Sequence, residues 1–112
     1  MLTAEQITAL RPGPDLDRAV HQWVFKRAGR PIKYSTTGSA LELLDVMPLQ
    51  VGRFRDSDPD MKPERPFYCR FKLGPASEPE ESRVTAATAP AAMCKAALIY
   101  VMATSNNADN QG

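Results

Sequence analysis

The sequence predicts an α+β domain with a small sheet packed between helices, an α/β/α layered sandwich. Three observations predict it. Residues Pro90 to Ala103 carry a single charge, Lys95, and are otherwise almost wholly small or apolar, so they form a helix that needs packing partners on more than one side. Before them, Phe67 to Leu73 alternates apolar and polar residues with the period of a strand. The first half of the chain carries three separate helix-start signals. A buried helix placed after the strands, with other helices before them, puts helices on both sides of the sheet.

The elements follow in order. Thr3 and Gln6 have capping-box spacing, and Leu2 is placed to staple onto Ile7. Arg11-Pro12-Gly13-Pro14 stops this first helix. A second begins with Asp15 and Asp17 in its first turn, where the helix dipole favours negative charge. Leu16, Ala19, Val20, Trp23 and Val24 form its apolar stripe, and Lys26, Arg27 and Gly29 end it. Ser39 and Glu42 give a second capping box, opening a helix with core face Ala40, Leu43, Leu44 and Met47, which Pro48 ends.

The period then changes to two. Leu49 to Phe54 is one expected strand and Phe67 to Leu73 a stronger one, with Phe67, Cys69, Phe71 and Leu73 inward and Tyr68, Arg70 and Lys72 outward. The polar, proline-rich segment between them is too long for a tight hairpin. Gly74 to Ser82 reads as an acidic mobile loop, with a short strand over Arg83 to Thr85. Thr88 is placed to cap the buried helix, with Pro90 in its first turn, where a missing N–H costs nothing. That helix is shorter than the about 20 apolar residues a bilayer span needs. One domain over residues 1–105 is expected, with a disordered polar tail over 106–112.

Composition narrows the function classes. With 43% hydrophobic and 24% charged residues, the 112-residue chain is an ordinary globular one. The net charge of +1 exerts no global pull on nucleic acid or acidic membranes, so such binding needs local clustering. Cys69 and Cys94 fall in apolar settings on different elements and read as reduced core thiols. No secretion signal is expected from the first residues.

Three segments, in order, resemble the phage ABA sandwich domain family of small phage and prophage proteins with an α/β/α layered fold and no established activity. They are ITALRPGPDLDRAVHQWVF from Ile7 to Phe25, KYSTTGSALELLDVM from Lys33 to Met47 and TAPAAMCKAALIYVM from Thr88 to Met102. They are similar to that family's proline-glycine turn with a Leu-Asp helix, its Tyr-Ser-Thr helix opening, and its Thr-Ala-Pro helix with an inner cysteine and a basic residue. Thr37 stands where the family tends to have an acid, and Leu41 where it tends to have an aromatic. The resemblance implies a layered fold and a phage or prophage origin. It implies no catalytic residues.

Catalytic machinery is hard to assemble from these residues. His21, the single histidine, has no cysteine or serine at a spacing that would recruit it, and reads as a surface or half-buried structural residue. One histidine and two separated cysteines do not make a zinc site. Asp56, Asp58 and Asp60 have alternating spacing, but Pro59 interrupts it and the glycine and terminal glutamate of a calcium loop are missing. No cofactor and no metal are expected.

Two binding sites are candidates. Tyr34, Ser35, Thr36 and Thr37 bring hydroxyls and free N–H groups to a helix start, with Arg30 and Lys33 beside them, an arrangement able to hold a small anion. The competing reading is that they only cap the helix. The second candidate is a basic strand face. Arg53 and Arg55 share one face of their strand, and Tyr68, Arg70 and Lys72 share a face of the next. If the two coincide, they form a stripe for nucleic acid.

The expected function is that of a small phage or prophage accessory protein without catalytic activity, acting in the cytoplasm of the bacterial host. It would bind a host protein or a small anionic ligand, and inhibition of host defence is one form this could take. The alternative is a nucleic-acid-binding protein that uses the basic strand face. No membrane partner is expected, and homo-oligomerisation is left open.

Overall fold

The structure, a computed structural model, describes residues 3–27, 29, 32–36, 38–73, 77 and 80–111, with backbone only at 4, 39, 46, 73 and 105–111. The expected staple by Leu2 and the side-chain cap by Ser39 lie outside the described residues.

α1 spans Ala4–Ala9 and has the predicted capping box: the Gln6 N–H donates to Thr3 Oγ1 at 3.2 Å, and the Thr3 N–H to Gln6 Oε1 at 2.9 Å. α2 spans Pro14–Ala19 after Gly13, whose φ of 144° suits a residue without a Cβ. It widens into a π turn over Val20–Val24. Leu16, Ala19 and Val20 of the predicted stripe are buried, while Trp23 and Val24 are half-buried. Lys26, at φ 53°, takes the left-handed geometry that closes a helix.

The third helical region departs from its expected start. A 3-10 turn runs over Gly38–Leu41, and α3 is only Glu42–Val46, entered at Leu41 without a side-chain cap. Glu42, expected to reach back to Ser39, instead lies 3.8 Å from Arg27. The core face holds, with Ala40 and Leu43 fully buried.

The sheet has order β1-β2-β3, all antiparallel, with β1 at Gln50–Arg53, β2 at Phe67–Leu73 and β3 at Glu80–Ala86. β2 has the predicted bounds. β3 starts earlier than Arg83, so residues 80–82 belong to the sheet and not to a mobile loop: full pairing with β2 engages them, Glu80 opposite Leu73. α4 spans Ala89–Gln111. Thr88 caps it, accepting the Ala91 N–H at its side chain (3.3 Å) and the Ala92 N–H at its carbonyl (3.1 Å). The helical backbone outruns the tail boundary predicted at Asn106, since no Gly or Pro stands before Gly112 to stop it.

The α+β class read from the sequence is the class observed: among the described residues there are four α-helices and a three-stranded antiparallel sheet with a helix packed on it. The layer order differs from the predicted sandwich. The sheet makes its main helix contacts with α4, and the other helical segments pack on α4 in turn. α4 is therefore the middle layer. That explains why Ala91 to Cys94 and Ala96 to Leu98 are all buried, as a helix without a polar face must be. Lys95, its one charge, is accommodated by donating to the Thr8 carbonyl at 2.9 Å, at the end of α1. Among the described residues, no helix is long and apolar enough to cross a membrane.

Candidate functional site

The Tyr34–Ser35 segment is internal. Ser35 is 1% exposed; its N–H and its Oγ–H both donate to Asp17 Oδ1, at 2.7 and 2.6 Å, and its Oγ accepts the Gly13 N–H at 2.8 Å. Asp17 is itself buried. The pair ties the start of α2 to the approach of α3, which explains how a carboxylate can sit in the core: its lone pairs are met by directed donors. Tyr34 is fully buried beside it, with its Oη 3.1 Å from His21 Nδ1 and its ring stacked on Phe25 at 5.0 Å. Burial raises the Tyr34 pKa above the usual tyrosine value, and Arg27 nearby pulls the other way.

This geometry answers the anion-cradle expectation. Tyr34 and Ser35 have their polar atoms committed inside the fold, whereas Lys33 and Thr36 are exposed. Arg30 and Thr37 lie outside the described residues. The helix that was to supply free N–H groups is a 3-10 turn leading to five α-helical residues. Too little helix remains there for a dipole to hold an anion.

The basic strand face is regrouped by register. Gly52 stands opposite Tyr68, and Arg53 opposite Phe67. Directly opposed residues share a face, so Arg53 falls on the Phe67 side and not with Tyr68, Arg70 and Lys72. Arg55 lies past the end of β1. The predicted stripe of Arg53, Arg55, Tyr68, Arg70 and Lys72 is thus divided. In place of the β1 arginines, β3 contributes Arg83, opposite Arg70, and Glu81, opposite Lys72. Glu81 was legible in principle, because EESRVTA alternates like a strand, and ending the loop at Ser82 hid it; Arg83 was placed in the expected strand but not on this face.

One end of this outer face is closed by its own loop. The Phe54 ring lies 4.8 Å from that of Tyr68, Arg83 stands 5.1 Å over Phe54 and bonds Asp60 at 3.2 Å. Phe54 is buried here, apart from the main core. Tyr68 lies against Gly52, its Oη 2.6 Å from where a Cβ would stand, so any larger residue at this strand position would have to push the Tyr68 ring aside. The other end is open. Pro48, Gln50, Arg70, Lys72 and Glu81 line a concavity of about 470 Å³. Arg70 donates to Gln50 Oε1 at 2.7 Å and lies 3.7 Å from Glu81.

The histidine and both cysteines are held in the interior. His21 is 6% exposed, more deeply buried than the surface or half-buried position expected of it, and hydrogen-bonded to Tyr34. Cys69 and Cys94 are free and buried, and burial pushes each thiol up to about 12, far from a reactive thiolate. Among the described residues, no three His, Cys, Asp or Glu side chains gather into a possible metal site. No family model, curated protein or solved structure matches this chain.

Proposed function

We propose that this chain is a non-enzymatic binding protein that holds a partner protein on the open part of its outer sheet face. The observation that carries the reading is a sheet with one face sealed by α4 and the other left to solvent, where Gln50, Arg70, Lys72 and Glu81 surround a concavity. Both charge signs and an amide side by side suit the varied polar edges of a protein surface. The burial of the histidine and of both thiols argues against catalysis.

A phage or prophage origin, a host protein as the partner and inhibition of host defence rest on the resemblance alone. The nucleic-acid alternative is weakened by the charge count on this face, where Arg70, Lys72 and Arg83 stand against Glu81 and Asp60. It is weakened again by Tyr68, whose ring is packed between Phe54 and Gly52 and is poorly placed to stack on bases.

The test compares wild type with the double variant Arg70→Glu, Lys72→Glu as baits in bacterial lysate, after matching their thermal midpoints. A protein retained in stoichiometric amount by wild type and lost with the variant supports the reading. Equal retention by both sinks it. Co-purifying nucleic acid, released with a steep dependence on salt, would transfer the function to the alternative.

A further inference from the structure

A further concavity lies away from the sheet face, where the end of α1 and its following turn meet Glu64 and Arg65, the end of β3 and the first turns of α4. It measures about 620 Å³, within the ~300–1,000 Å³ usual for small-molecule sites. Its wall carries Arg11, Arg65 and Lys95, with Glu5 and Glu64.

Lys95 and Arg65 are like charges brought together. Arg65 lies close enough to lower the Lys95 pKa below the usual lysine value, adding to the effect of burial. The Lys95 ammonium donates to the Thr8 carbonyl, and among the described residues no partner takes up the other two of its three N–H donors. Among the described residues, no carboxylate stands at ion-pair distance from Arg11, Arg65 or Lys95. An anion between two such cations relieves their repulsion and gains charge-assisted hydrogen bonds. Three cations against two carboxylates leave a surplus of one positive charge on this wall, which suits a monoanion. The remaining wall is largely apolar, with Leu10 and Pro12 on one side and Ala86, Ala87 and Ala91 on the other.

We propose that this concavity binds a small organic monoanion, with a carboxylate head between Lys95 and Arg65 and an apolar body against Leu10, Pro12 and Ala87. The site is separate from the outer sheet face, so either can fail without the other.

The experiment titrates phenylbutyrate into the protein and follows backbone amide shifts by NMR, with neutral phenylbutyramide and inorganic phosphate as controls. Saturable shifts are expected at Thr8, Leu10, Ala87 and Ala91. Phenylbutyramide should bind at least about tenfold more weakly, since it lacks the charge that strengthens the hydrogen bonds. Arg65→Gln, at an exposed position, should leave the thermal midpoint unchanged and weaken phenylbutyrate about tenfold. Unmoved amides at these positions, equal binding of acid and amide, or an unaffected Arg65→Gln variant would each overturn the proposal. Phosphate binding as tightly as phenylbutyrate would overturn the assignment of an apolar body.

Discussion

The Tyr34–Ser35 segment and the outer face of β2 both carry closely spaced polar side chains, and the fold uses them in opposite ways. Around Ser35, donors and acceptors from α2 and the approach to α3 meet one another inside the core, and Asp17 and Ser35 satisfy each other. On β2, Arg70 and Lys72 face solvent, and their nearest partners, Gln50 and Glu81, are exposed as well. Polar groups that find partners in a dry interior hold the fold together. Those paired weakly in water remain available to something else. A cluster of hydroxyls in a sequence therefore does not announce a site until its burial is known.

The comparison can be broken most severely at α4, on which both regions depend. Ala97 is fully buried in the middle layer, and Ala97→Asp would place a carboxylate there with no donor. The cost is several kcal/mol, enough to unfold a domain of ordinary stability. Circular dichroism should show loss of the cooperative transition. A wild-type melting curve would mean that α4 is not the middle layer.

Alkaline pH probes the same interior without mutation. Cys69 and Cys94 are raised from 9.0 to about 12 in the fold, and Tyr34 is raised from 10.0. The unfolded chain therefore releases these protons at a lower pH than the folded one. The stability they contribute is fully present below about pH 9 and is lost as pH climbs towards 12. At pH 10.5 each thiol should cost about 2 kcal/mol, from roughly 1.4 kcal/mol per unit of separation. Urea unfolding at pH 8 and at pH 10.5 measures it. Equal midpoints would show that the thiols are open to water.

Asp17→Ala sharpens the contrast itself. It strips the acceptor from two buried donors of Ser35, at about 3 kcal/mol of stability, read from the shift in urea midpoint. A loss under 0.5 kcal/mol would mean that water reaches Ser35. The smallest effect belongs to the outer face. Arg70→Ala removes an exposed ion pair and a bond to an exposed glutamine, and the midpoint should move by no more than about 0.5 kcal/mol. A larger loss would make that face part of the scaffold and weaken its claim to a partner.

The signals that the sequence carried correctly are local ones. The Thr3–Gln6 capping box, the Thr88 cap and the alternation over Phe67 to Leu73 each involve residues within a turn or one strand, so composition and spacing suffice to read them. The α+β class and the burial of both cysteines follow from the same apolar patterning. Three things were decided only by the tertiary structure. Ser35 became internal because Asp17, 18 residues away, reaches it. Arg53 left the basic face because Gly52, and not Arg53, stands opposite Tyr68, and a one-residue change of register turns every side chain to the other face. Lys95 could sit in an apolar helix because the Thr8 carbonyl, 87 residues earlier, accepts its proton donor. Spacing along a chain fixes periodicity, but not which distant partner removes a polar group from water, and the character of a site depends on that partner.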